Sequence, residues 1–293
     1  MPAMKGGALE ITPTSVRYSA VTGESPGRGC LTAGLREIAV TDSPFEEVEA
    51  ALAEGVLAVR EAGADRIGLF ASGELRGTRV AGLLSVRAPR LGLGGFRFTG
   101  TGAAIAADFI SRSGALAIES GADVPEDESC AVLGIGHHSV GVAVGSTGRA
   151  PAWIGSRPVG LARLAELTRL ADPPEMVQLE AARAAAERSF AGLTNPGFGL
   201  LVAVSDFSRA TRTVCGDVAD AESLGVALDS VTGMSSDELG ARVGLGPVLA
   251  PLFPLALAVQ LAAARTFSVG IAPLDPDPAA LELALDGAGN REA

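Results

Sequence analysis

Ala131–Gly145, AVLGIGHHSVGVAVG, reads as a buried strand, a glycine-rich turn and a second apolar strand. The turn carries His137 and His138, and no carboxylate falls within the stretch. A turn of this kind can bring bare backbone amides close to an anion through Gly134, Gly136 and Gly141. Tight pairing of a hairpin explains the same glycines equally well. One of the two histidines is expected to face solvent and the other to bond to backbone. Neither has a Cys or His at metal-ligand spacing, so no metal site is expected.

An earlier stretch has the same plan. Ala8–Val21, ALEITPTSVRYSAV, predicts a strand, a tight turn at Thr12-Pro13-Thr14 and a second strand alternating Val16, Tyr18 and Ala20. Cys30–Val40 continues as a third strand. A helix then opens with Ser43 as its cap and Pro44 at its first position, its apolar residues Phe45, Val48, Leu52, Val56 and Val59 recurring at helical spacing. Gly63 ends it. A strand over Arg66–Ala71, a weak helix over Thr78–Val86, a strand over Gly95–Thr99 and a helix over Thr101–Ser113 complete the first half. The acidic Glu119–Glu128, with Pro and Gly among its residues, is read as a solvated boundary, giving domains over 1–121 and 122–293.

Beyond it the plan repeats. Strands over Cys130–Gly136, Ser139–Gly145 and Ala152–Arg157, with a turn over Ser146–Arg149, precede helices over Gly160–Leu170 and Pro174–Gly192. A strand over Gly199–Ser205 leads into helices reaching Arg265, with Ser205 and Asp206 read as a helix cap. A last strand over Thr266–Ile271 and a helix over Pro278–Leu285 close the chain. Two halves that each open with a meander and continue as alternating strand and helix predict an α/β fold, a duplicated domain facing a cleft.

Composition narrows the function. The 293 residues are 47% hydrophobic and 19% charged, enough for sizeable cores. Lys5 is the only lysine, and the net charge of −11 opposes nucleic-acid binding. Cys30, Cys130 and Cys215 are odd in number and far apart, which points to a reducing, cytoplasmic setting and small buried thiols. The apolar Gly246–Ala264 contains Pro247, Pro251, Pro254 and Gln260 and reads as a buried helix rather than a membrane span. The glycines of Gly92–Gly95 and Gly100–Gly102 form no dinucleotide fingerprint. Ser72 and Ser139 have no triad-like partner.

From roughly Ala8 to Leu285 the chain resembles the exopolyphosphatase/guanosine-pentaphosphate phosphatase (Ppx/GppA) family of the actin-like (ribonuclease H-like) superfold. Glu10-Ile11-Thr12-Pro13-Thr14-Ser15 sits where the family has Asp-Ile-Gly-Thr/Ser-Asn-Ser, and Ala71-Ser72-Gly73-Glu74-Leu75-Arg76 where it has Ala-Thr-Ser-Ala-x-Arg. Thr99–Ala104 takes the place of Ser-Gly-x-Glu-Glu-Ala, and Gly134–Gly141 that of Asp-Ile-Gly-Gly-Gly-Ser-Thr-Glu. Arg157-Pro158-Val159-Gly160-Leu161-Ala162-Arg163-Leu164 is the most literal match, to Leu-Pro-Leu-Gly-x-x-Arg-Leu. Val202–Phe207 falls at a later phosphate turn and retains no glycine.

The resemblance implies two actin-like domains with an interdomain cleft, and phosphohydrolase chemistry that this chain departs from. Gly102 and Ala103 replace the glutamate that acts as base, and Gly134 and Gly141 replace the carboxylates that hold a cation or orient the nucleophile. Glu10 is the surviving acidic candidate and Arg76 can contact an oxyanion, or the two are a cleft-lining pair of opposite charge. Thr14, Ser15, Arg76, Gly136, His137, His138 and Ser139 are the phosphate- or ligand-binding candidates. The reading is of a protein that has lost catalysis and binds, regulates or assembles, its partner a phosphorylated small molecule or a protein, with a homodimer as the family's precedent. Mg2+ enters only if hydrolysis of polyphosphate, guanosine pentaphosphate or another phosphorylated ligand survives.

Overall fold

In each half a three-stranded meander ends beside two strands parallel to its first. The computed structural model describes residues 5–22, 30–93, 96–100, 129–146, 150–193 and 197–276, with isolated positions at 102, 104, 106, 109 and 278. The helices expected over 101–113 and 278–285, the acidic boundary over 119–128 and residues 147–149 of a turn lie outside the described residues, the isolated positions apart. The chain divides into two compact units, the first made of residues 1–125 with 147–150 and 276–293, the second of residues 126–146 and 151–275.

The first unit contains β1 (Lys5–Ile11), β2 (Ser15–Thr22), β3 (Cys30–Glu37), α1 (Phe45–Glu61), β4 (Arg66–Ser72), α2 (Arg79–Arg87) and β5 (Arg97–Thr99). Its sheet has the order β3-β2-β1-β4-β5, antiparallel across the meander and parallel from β1 to β5. Leu9, Ile11 and Val16 pack with Val48, Leu52, Val56 and Val59 of α1, so the helical spacing read from the sequence is the buried stripe. The cap of α1 is Pro44 rather than Ser43, because φ −53° and ψ 139° at Pro44 place it just outside the helix. Gly63, at φ +90°, ends it. β3 stops at Glu37, short of the expected Val40, because the following amides turn back onto the β1–β2 turn.

The second unit contains β6 (Ser129–Ile135), β7 (Val140–Ser146), β8 (Trp153–Arg157), α3 (Leu161–Thr168), α4 (Met176–Phe190) and β9 (Leu200–Val204). It continues with α5 (Ser208–Cys215), α6 (Ala221–Val231), α7 (Ser236–Val243), α8 (Phe253–Phe267) and β10 (Gly270–Leu274). The sheet order, β8-β7-β6-β9-β10, repeats that of the first unit strand for strand. The last strand begins at Gly270, not Thr266, because α8 runs on to Phe267 and ends at Ser268 in the left-handed conformation. The segment Ala250–Phe267 is long and apolar enough to cross a membrane, yet 78% of it is buried inside the unit.

Gln260 is the polar exception in α8. It is fully buried, its Nε2 donates to Thr211 Oγ1 at 3.1 Å, and its Oε1 has no partner among the described residues. A buried amide left half satisfied costs more than it returns. Thr211→Val alone is expected to lower stability by about 1–3 kcal/mol, and Thr211→Val with Gln260→Leu to restore it, as measured by urea denaturation. Cys130 is buried, and burial pushes the partly buried Cys215 thiol up to about 11, which leaves it protonated and unreactive near neutral pH.

Candidate functional site

The two hairpin turns are built alike. Ile11 pairs with Val16 across the first and Ile135 with Val140 across the second. Thr12 N–H donates to Ser15 O at 2.9 Å, and Gly136 N–H donates to Ser139 O at 2.9 Å. After the third strand of each meander the chain doubles back and caps its turn. In the first unit Ile38 N–H donates to Thr14 O and Val40 N–H to Pro13 O, at 3.1 and 2.9 Å. In the second, Gly160 N–H donates to His138 O and Ala162 N–H to His137 O, at 3.0 and 2.8 Å. Leu161 N–H adds a bond to Gly136 O at 3.1 Å.

These bonds decide what each turn has left to offer. Thr12 Oγ1 accepts from Thr14 N–H at 3.3 Å and Ser15 N–H at 3.1 Å, and lies 2.8 Å from Ser15 Oγ. The first turn therefore satisfies internally amides that would face an anion, and Thr12, Thr14 and Ser15 are buried. In the second turn Gly136 has no side chain for that task. There the first amides of α3 are spent on the turn's carbonyls, so the helix N-terminus, an anion site elsewhere, is closed by the protein's own backbone. Gly160 makes this possible. A Cβ on it would lie 2.3 Å from His138 C and Ser139 N. His137 is half-buried and His138 exposed, their rings edge to face at 4.7 Å.

Just before the turns, Glu10 faces Arg17 across the first hairpin, and Gly134 faces Gly141 across the second. Glu10 is 6% exposed and its Oε2 accepts from Arg17 Nη1 at 2.8 Å. This corrects the expected pairing of Glu10 with Arg76: a residue directly opposite on the neighbouring strand reaches the carboxylate first. Arg76 is exposed and its guanidinium lies over the Phe98 ring, 4.7 Å from the centroid. Ser72 Oγ accepts from Glu74 N–H at 3.4 Å and serves as a local cap. A divalent cation does not fit these positions, since Gly134 and Gly141 offer no side-chain oxygen and Arg17 engages Glu10. Among the described residues no group of three His, Cys, Asp or Glu could hold a metal.

At the end of β9, α5 opens at Ser208 with Phe207 as its cap, so the expected cap at Ser205 and Asp206 falls one to two residues too early. Ser205 Oγ instead accepts from Phe207 N–H at 3.3 Å, while Ser208 Oγ donates to Leu274 O at 2.6 Å and fastens the helix to β10. Arg17, Gly160 and the Ile38 and Val40 amides were not singled out from the sequence. Only Gly160 carried a signal there, as the glycine of the most literal family match.

Two sheets of the same order, each with its hairpin turn at the C-terminal ends of the parallel strands, define an actin-like fold. The Ppx/GppA family member of Aquifex aeolicus matches with a TM-score of 0.76 at 16% identity, over 100% of both chains. An exopolyphosphatase from Cytophaga hutchinsonii matches with a TM-score of 0.73 at 13% identity, covering 97% of this chain and 98% of that one. An exopolyphosphatase-like protein gives 0.76 at 16% identity, covering 99% and 100%. The likeness is one of fold. No protein-family model and no curated protein matches the sequence.

Proposed function

We infer that the chain is a divergent relative of the Ppx/GppA phosphatases that has lost phosphohydrolase chemistry and acts in the cytoplasm as a binding, regulatory or assembly protein. The observation that carries this reading is the pair of equivalent positions before the turns. One holds Glu10 locked to Arg17, the other two glycines. A general base contributes roughly 10²–10⁴ in rate and must be free to take a proton. Glu10 is engaged by Arg17, and Gly102 and Ala103, which the resemblance places at the base of the family, carry no side chain that can take a proton. Losing both base and cation ligands removes the two main sources of acceleration for attack of water on a phosphoanhydride. The partner is a phosphorylated small molecule or a protein, and no bound cofactor is needed.

Phosphate release from polyphosphate, guanosine pentaphosphate and ATP, each with Mg2+, tests this directly. Release at the buffer background is the expected result. Turnover near about 1 s⁻¹ that disappears in a folded Glu10→Gln variant would overturn the reading and establish a divergent phosphohydrolase.

A further inference from the structure

The outer edges of the two sheets are guarded unequally. β10 contains Pro273, and its Ile271 exchanges two backbone bonds with Ala219, at 2.7 and 2.8 Å. Its Leu274 and Pro273 carbonyls accept from Ser208 Oγ and Arg212 Nη1. β5 is only three residues long. β3 carries Arg36 and Glu37, and its pairing with β2 shifts register between Ala20 and Val21. Proline, shortness, bulges and charges all protect an edge against a further strand. β8 has no proline, bulge or charge from Trp153 to Ser156. Its register with β7 is unbroken, and among the described residues no strand lies on its other side. Trp153 is 42% exposed and Ile154 39%, on opposite faces of the strand. The Trp153 ring lies over Gly155, where a Cβ would sit 2.4 Å from the indole.

Charge sets the same edge apart. From Ser129 to Ala165 the chain has Arg149, Arg157 and Arg163 and no acidic residue, against a net charge of −11 overall. Arg157, at the end of β8, donates to Ser189 O at 3.0 Å and Ser156 O at 3.2 Å, and meets no carboxylate among the described residues. Alternate N–H and C=O groups of an edge strand point away from its sheet, and another extended backbone satisfies such a row. We propose that β8 receives an extended, acidic segment of a partner protein as a further strand of the sheet. The segment's backbone bonds to Trp153–Gly155, its apolar side chains lie beside Trp153 and Ile154, and its carboxylates meet Arg157. A second copy is disfavoured there, since β8 against β8 brings like charges together. The proposal stands independently of the loss of catalysis.

Trp153, the single tryptophan, reports on this edge directly. Titrating the full chain with acetyl-Thr-Val-Thr-Val-Thr-Glu-Glu-amide is expected to change its fluorescence with a Kd of about 0.1–1 mM, as for a small transient contact. The same peptide N-methylated at every Val and Thr lacks the strand's donors and should bind at least about tenfold more weakly. A peptide with Lys-Lys in place of Glu-Glu should lose about as much through charge. Ile154→Glu should weaken the acidic peptide by roughly tenfold with unchanged circular dichroism, whereas Ile154→Thr, which keeps a β-branched side chain, should stay within about threefold of wild type. No fluorescence change up to about 5 mM peptide, equal binding of the N-methylated or the Lys peptide, or a response that survives Ile154→Glu overturns the proposal. So does a change produced by raising the protein concentration alone, which would put a second copy on β8.

Discussion

Gly160→Val is expected to lower the stability of the second unit by at least about 4 kcal/mol, enough to unfold a marginal domain. The backbone does not require glycine there. At φ −71° and ψ 174° any residue is comfortable. What forbids a side chain is contact: His138 C and Ser139 N lie 2.3 Å from where Cβ would be, and His137 O 2.5 Å. These are backbone atoms, so no rotamer change relieves the clash. The three amides that cap the turn, from Gly160, Leu161 and Ala162, must pull away together, leaving their carbonyls unpaired. Even Gly160→Ala should cost about 2–3 kcal/mol. Gly225→Ala is the control, since that glycine lies inside α6 with nothing within 4 Å, and should gain about 0.5–1 kcal/mol. Urea denaturation followed by Trp153 fluorescence checks both, because the single tryptophan sits on β8 of this unit.

The same glycine shows how much the sequence could reveal. Strand and helix identities were legible because burial imposes periodicity: Phe45 to Val59 repeats at helical spacing, and Val140 to Val144 is the apolar partner of Ala131 to Ile135. The duplication of the two meanders was legible for the same reason. Boundaries were less so. Ser205 and Asp206 have the chemistry of a cap, but the cap falls one to two residues later, at Phe207, and α5 starts at Ser208. Nothing local reports that Ser208 Oγ must reach Leu274 O, a contact across 66 residues of sequence. The site suffered most from this limit. Its composition, with glycines where carboxylates were expected, could be read directly. Its partners could not, since Arg17 is chosen by hairpin register and the Ile38 and Val40 amides by where the chain turns back.

Glu10→Gln should destabilise the first unit by about 2–4 kcal/mol, somewhat less than the about 3–5 kcal/mol for a fully buried ion pair because Arg17 is partly exposed. The side chains are 16% exposed at Arg17 and 8% at Glu10, and the 2.8 Å bond lies on a strand in the middle of the sheet. Glutamine keeps the shape and can still accept a hydrogen bond, so the loss measures the charge. Glu10→Leu together with Arg17→Met should recover most of the stability, since two apolar side chains lose neither desolvated charge nor hydrogen bond. Denaturation of the wild type, Glu10→Leu, Arg17→Met and the double variant, followed through Tyr18 on the neighbouring strand, gives the coupling. A coupling of about 2 kcal/mol or more means that Glu10 stabilises the hairpin through Arg17. A coupling near zero frees the carboxylate for another task and revives it as a base. The second hairpin already contains the natural version of the double replacement. Gly134 and Gly141 face each other with no charge to compensate, and the Ile135–Val140 pair and the capped turn beside them keep the same register as in the first.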